Sequence, residues 1–298
     1  MKQLKRLAAG VIPKRILRGY KHSKYHRNLK AFRGEGVYCP CCGKAFSRFD
    51  GHRVDGDYAD ISMYPSDLSN VVCPYCVSMP RHRILCDYLD RNKELLFQKD
   101  SKVLIFAPAY SIHLWFRRNK IRFLSTDLND RSVDINMDIQ KIPYSDNEFD
   151  FISCDHVLEH VPDYQLAISE LFRVIKKKGA VEITVPLLTE LEETYEDEAA
   201  TSYSDRAKAF GQFDHLRMFG RDLKGKLEKA GFDVDLVDGD KCDERIVPLT
   251  APALFDYNKI FICKKLDNNP CPKAGDSRVL AHPGKPSDGI YRGKAEQQ

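Results

Sequence analysis

Hydrophobic positions along this chain follow two alternating spacings. Continuous apolar runs of strand length occupy 102–108, 149–153 and 180–185, as strands buried on both faces require. Weaker runs of the same kind lie at 121–125, 132–137, 234–237 and 260–264. Between them the apolar residues move to helical spacing. Ile84, Leu85, Tyr88, Leu89 and Leu96 form one such face, behind a Pro80 suited to a first helical turn. A short helix is predicted over 111–118. Another follows, with Asp163 as N-cap, Ala167, Leu171, Val174 and Ile175 on one face, and Lys176, Lys177, Lys178 and Gly179 at its end. Leu223, Leu227 and Ala230 mark a last helix, closed by Gly231. The alternation predicts an α/β fold, an open, doubly wound and mostly parallel seven-stranded sheet with right-handed crossovers.

Such sheets bind ligands beyond the carboxyl ends of their strands, and the titratable residues gather there. Asp127 ends the second strand, where a carboxylate can accept two hydrogen bonds from a ribose diol. Asp138-Ile139 ends the third, and Ser153, Cys154, Asp155 and His156 end the fourth. After Pro186 the segment 190–198 places six acids in nine residues at the mouth of the cleft, either as a lid or as a solvated surface. Beyond it Asp214, His215 and Arg217 offer an acid, a base and a cation. Asp214 orienting His215 would make a general base; a salt-bridged loop anchor is the alternative. His156, Glu159 and His160 are further proton acceptors, the last two as readily serving to pin a helix.

Ten cysteines in an otherwise ordinary composition argue for a metal rather than a disulfide framework. Cys39-Pro-Cys-Cys42-Gly43 and Cys73-Pro-Tyr-Cys76 are two C-x2-C knuckles. Cys39, Cys42, Cys73 and Cys76 therefore predict a tetrahedral, structural Zn²⁺ site with no position open to substrate. Cys41 lies out of phase. Gly43 supplies the positive φ needed to leave the first knuckle.

Charge divides the chain. Residues 1–33 carry eleven Lys or Arg and no acid, so a net charge of +4 leaves the remainder at −7. The basic arm suits anionic membrane or nucleic acid, or is simply a solvated terminus that assists solubility, while the acidic block at 190–198 repels polyphosphate. Nucleic acid is thus the less favoured partner. No run reaches the ~18 apolar residues of a membrane span, and charges interrupt the N-terminus where a secretory core would stand. A cytoplasmic location, at most against the inner face of the membrane, is the expectation. The resulting organisation is a basic arm (1–35), a zinc-ribbon module (36–80), the α/β domain (81–265) and a disordered tail (266–298).

The stretch FDFISCDHVLEHVPDYQLAISELFRVIKKKGAVEITVP at 149–186 closely resembles class I S-adenosylmethionine-dependent methyltransferases. With the paired knuckles and Arg81-His82-Arg83 ahead of it, the chain is similar to type 11 methyltransferases that carry a zinc ribbon. That resemblance implies S-adenosylmethionine as cofactor. It places Asp127 on the ribose and Asp138-Ile139 at the adenine, although a simple turn acid would also suit Asp138. It sets Ser153, Asp155 and His156 beside the methionine and reactive methyl. Ala107 and Ala109 stand where the family has a Gly-x-Gly turn, so the first loop is expected to bind in a variant way. The acceptor implied is a small molecule or glycan, as in envelope polysaccharide synthesis. The alternatives are a zinc-ribbon RNA methyltransferase and a non-catalytic adaptor. Oligomeric state is not legible in the sequence.

Overall fold

The computed structural model describes residues 29–51, 68–248, 255–256 and 258–266. Residues 1–28, 52–67, 249–254, 257 and 267–298 lie outside the described residues, and with them the expectations of a basic arm and a disordered tail. Two short strands, β1 (Val37–Cys39) and β2 (Lys44–Phe46), form an antiparallel hairpin at the first cysteine knuckle. Helix α1 (Pro80–Leu96) leads into the main sheet. There β3 (Val103–Phe106), α2 (Tyr110–Arg118), β4 (Leu124–Asp127), β5 (Ile135–Asn136) and β6 (Phe149–Asp155) follow. After α3 (Tyr164–Val174) come β7 (Ile175–Thr184), β8 (Leu187–Leu188), α4 (Tyr203–Phe210) and α5 (Leu223–Lys229). The chain closes with β9 (Asp233–Asp238), β10 (Phe255–Asp256) and β11 (Lys259–Lys264).

The seven-stranded sheet runs β5-β4-β3-β6-β7-β11-β9. Its pairs are parallel from β5 through β7, and β11 is antiparallel to both neighbours. All seven predicted strands are present. Reversal at β11 lets the chain return between β7 and β9 without a crossover. Chain order turns back at β3 and β6, and the carboxyl ends of these two strands define the crevice where such sheets hold ligands.

Two predicted elements differ. The run 132–137 yields only Ile135–Asn136 as strand. Asp134 turns its carboxylate onto Ser125, accepting from its N at 3.0 Å and its Oγ at 2.6 Å. Side-chain bonds thus replace a longer backbone ladder. The second difference is the end of α3, which stops at Val174 instead of running through the lysines. Ile175 is already extended and pairs with Phe149 across the sheet. A register shift between Phe149 and Phe151 absorbs the extra residues, with Lys178 at φ +64°. Lys265 takes over the role expected of the lysine run. Its buried ammonium donates to the carbonyls of Phe172 at 2.8 Å and Ile175 at 3.2 Å, satisfying acceptors that a helix end leaves open. Asp163 is the N-cap as expected, accepting from Leu166 N at 2.8 Å.

One buried cluster unites the cysteine module with the sheet. Cys39, Phe49 and Cys76 pack with Ile84 and Leu89 of α1, Trp115 and Phe116 of α2, and Phe151 of β6. Arg83 is fully buried at this junction. It donates to Ile246 O (2.6 Å), Val71 O and Ser78 O (both 2.8 Å) and lies 3.9 Å over the Phe49 ring. On the other side of the sheet, the insertion 187–222 has its own small core of Leu188, Leu191, Ala200, Phe210 and Met218. Its acidic stretch is not helical, and Glu192 and Glu196 pair with Arg221 and Arg217. Among the described residues no helix is long and apolar enough to cross a membrane.

Candidate active site

The sequence places small residues rather than glycines after β3, yet the backbone takes the conformation that glycine would supply. Ala107 has φ +42°, and its N–H donates to Thr126 O at 2.8 Å. Ala109 is the N-cap of α2. Beside them Asp127 closes β4. Its Oδ1 accepts from the backbone N–H groups of Asn129 and Asp130, both at 2.7 Å. That turn fixes the carboxylate and leaves Oδ2 without a partner among the described residues. Asp138 is held in a turn by Gln140, whose N donates to Oδ1 at 2.9 Å, and Ile139 is buried behind it. These residues share the carboxyl edge of β3–β5, an arrangement that fits a nucleoside with its diol on Asp127.

At the end of β6 the residues are more committed. Ser153 is buried and donates to Glu182 Oε2 at 2.6 Å, so its hydroxyl points into the sheet's neighbour strand. Asp155 accepts from Thr184 Oγ1, from Arg81 Nε at 3.2 Å and from His82 Nε2 at 3.0 Å. His82 Nδ1 accepts from Met79 N at 3.0 Å, which fixes the ring as the Nε2–H tautomer. Burial would raise the Asp155 carboxyl, but Arg81 and His82 outweigh it and hold it well below the usual range. Asp155 therefore ties the first turn of α1 to the strand end, and Arg81 is brought to the crevice with it. His156 follows at φ +53°, the sharp turn that leaves β6.

Asp214 and His215 do not form the acid–base pair expected of them. Being consecutive in a loop, they face different groups. Asp214 Oδ1 accepts from Gln212 Nε2 at 2.7 Å, while His215 Nδ1 donates to Phe210 O at 3.1 Å. The carboxylate–imidazole pair is formed instead by Glu159 and His156, with Oε1 2.9 Å from Nδ1. Glu159 is buried, and His156, His160 and His215 hold its carboxyl low against the opposing effect of burial. His160 completes the group, its ring 4.9 Å from that of His215 in an edge-to-face contact. Arg217 is an anchor. It donates to Leu158 O and Pro162 O at 2.9 Å and to Glu196 at 2.6 Å, and so clamps the insertion onto the turn after β6.

The four predicted cysteines meet. Cys39 and Cys76 sulfurs are 3.5 Å apart, and Cys42 and Cys73 sulfurs 3.8 Å. Tetrahedral Zn–S bonds of about 2.3 Å place sulfurs about 3.8 Å apart, so the donor set fits a four-coordinate ion. Cys41 turns away, with its thiol 3.3 Å from His82 O. Gly43 takes φ +68° as the exit from the knuckle.

The profile of the family described as methyltransferase domain matches residues 73–237, more than half of the chain. The chain belongs to this methyltransferase family. Among curated proteins it is 29% identical over 106 residues to a demethylmenaquinone methyltransferase of Oceanobacillus iheyensis, a match covering 31% of this chain and 44% of that one. A Staphylococcus aureus enzyme of the same name is 36% identical over 61 residues, 20% of this chain and 25% of that one. The methyltransferase thus spans less than half the length of these relatives. Among solved structures, the YcgJ protein of Bacillus subtilis aligns with 14% identity and a TM-score of 0.45, over 62% of this chain and 99% of that one. A possible histamine N-methyltransferase of Thermotoga maritima aligns with 17% identity and a TM-score of 0.36, over 62% and 99%.

Arg81 and Glu159 are the residues that sequence reasoning underrated in this methyltransferase. Arg81 lies 74 positions before its partner Asp155. Glu159 gains its meaning from His215, which only the insertion brings back to it. A local signal existed for Glu159 alone, since an i, i+3 spacing from His156 lets the two meet across one turn.

Proposed function

We propose that this methyltransferase transfers the methyl group to a small-molecule acceptor at the β6 end of the crevice. The observation that carries the reading is the fixed Asp127 carboxylate with Oδ2 directed to no described partner, beside a left-handed Ala107. When bound, the cofactor supplies a methyl on a positively charged sulfur, which departs as a neutral thioether. Asp127 would accept the ribose hydroxyls, with Asp138 and Ile139 bordering the base. Arg81, anchored through Nε by Asp155, would turn its remaining guanidinium donors to the methionine carboxylate. Ser153 acts through Glu182 as support rather than as a contact. His156, oriented through Nδ1 by Glu159, would take the acceptor's proton at Nε2 as the new bond forms. The positioning of acceptor and methyl in line supplies much of the rate.

A small acceptor is supported by relatives named for a quinone precursor. The acids of 190–198 beside β8 add to it, because they oppose a polyphosphate chain. Calorimetry with S-adenosylmethionine and S-adenosylhomocysteine tests the cofactor assignment. Asp127→Ala should abolish binding at high micromolar ligand, and an unchanged affinity would remove Asp127 from the site. A labelled-methyl screen with quinols, lipid-linked glycans, sugar nucleotides and RNA tests the acceptor class, and transfer to RNA alone would overturn it. We also infer that the cysteine cluster holds a structural Zn²⁺, since four thiolates leave no position for substrate. The purified protein should contain about one equivalent, lost in the Cys39→Ser/Cys73→Ser variant; retention of full zinc would show the ligand set to be wrong.

A further inference from the structure

Outside the cysteine cluster, Glu159, His160 and His215 gather at the end of β6. One ligand-capable atom of each lies within 4.8 Å of the other two. The hydrogen bonds around them leave an unusual surplus of lone pairs. His160 Nδ1 lies 3.2 Å from Asp214 O, and His215 Nδ1 lies 3.1 Å from Phe210 O. A carbonyl only accepts, so both rings carry their proton at Nδ1 and present a bare Nε2. Glu159 is 1% exposed, and neither carboxylate oxygen accepts a hydrogen bond among the described residues. Its polar contact is the ion pair of Oε1 with His156 Nδ1, which leaves Oε2 to the interior. Three acceptor groups thus come together, Glu159 and His215 buried and His160 partly exposed. A buried carboxylate is costly unless its oxygens are answered, and the pair with His156 reaches Oε1 alone.

We propose that Glu159 Oε2, His160 Nε2 and His215 Nε2 bind a divalent transition-metal ion, whose open positions face the acceptor side of the crevice. Two imidazoles and one carboxylate suit Zn²⁺ or Fe²⁺ rather than Mg²⁺ or Ca²⁺. Metal bonds of about 2.1 Å set ligand atoms about 3–4 Å apart, and the three groups already lie within 4.8 Å of one another. The outer contacts are those a metal-binding histidine uses, each Nδ1–H donated to a backbone carbonyl. The ion would bind an acceptor oxygen next to His156 and lower its pKa. That role rests on the acceptor reading above, whereas binding of the ion does not.

The test is a Zn²⁺ titration by calorimetry of full-length protein with its cysteine cluster already loaded, alongside Glu159→Gln and His160→Gln. His160 is partly exposed, so its variant keeps the experiment readable if the buried Glu159 change perturbs folding. Wild type should take one further equivalent of Zn²⁺. In both variants that binding should weaken at least tenfold, with S-adenosylhomocysteine affinity unchanged. Mn²⁺, followed by loss of its free-ion resonance, should bind the same site more weakly. No further equivalent in wild type, or equal uptake by the folded variants, would overturn the site. Failure of the nucleoside ligand to bind wild type would instead count against the cofactor assignment and leave the metal result standing.

Discussion

Glu182 offers a test of how the sheet's interior handles charge. It sits fully buried in β7 between β6 and β11, with Ser153 donating to Oε2 at 2.6 Å. Burial, reinforced by the nearby Asp155 charge, raises its carboxyl from 4.5 to about 8. In the unfolded chain the group ionises near its ordinary value, while in the fold it keeps its proton until about pH 8. Between those limits the folded state binds the extra proton, so stability falls as pH rises and levels off above. At about 1.4 kcal/mol per pH unit, the full loss is about 5 kcal/mol. Glu182→Gln keeps an acceptor for Ser153 and removes the ionisation. Its amide N–H₂ lacks a built partner, a cost of about 1–3 kcal/mol. Urea unfolding from pH 5 to 9, with metal and reductant held constant, should show the variant no more stable than wild type near pH 5. By pH 8.5 it should be the more stable by about 2–4 kcal/mol. Other titrating groups are common to both proteins and cancel in the difference. Parallel stability curves across this range would refute the reasoning.

Lys265→Met keeps an apolar stem but removes the ammonium both from its place over the Phe172 ring and from the carbonyls at the end of α3, and should cost about 1–3 kcal/mol in the same unfolding assay. Arg217→Leu removes the clamp on Leu158, Val161, Pro162 and Glu196. Limited proteolysis should then cut within 190–214 well before the core, whereas Arg217→Lys should protect only in part, since one ammonium cannot span that fork.

The order of strands and helices was legible because each run is long enough to carry its own period. Buried parallel strands at 102–108 and 149–153 and the cap at Asp163 needed only local chemistry. What escaped is non-local. Lys176 to Gly179 look like a helix end, and only the pairing of Ile175 with Phe149 makes them strand. Ala107 and His156 adopt positive φ without the glycine that normally announces it, because ladder bonds on either side over-determine the turn. In the site, His215 stood out as a titratable loop residue. Its partners Glu159 and His160 lie more than fifty residues earlier, and the adjacent Asp214 was a closer but geometrically wrong choice. The cysteine quartet was fully readable, since its spacing alone sets the sulfurs.

The two bonds of His82 have a thermodynamic meaning. Its backbone carbonyl receives the Cys41 thiol, and its ring holds Asp155 at the mouth of the crevice. On the proposed reading, an ion held by Cys39, Cys42, Cys73 and Cys76 would act on His82 only through the knuckle that carries Cys41, and a nucleoside resting near Asp155 would act on the same residue from its ring. Free-energy coupling between two ligands is necessarily mutual. On the proposed reading of both sites, loss of the cysteine-bound ion would weaken the hold on the methyl donor, and abundant donor would in turn slow the escape of the ion, so supply of each would set the retention of the other.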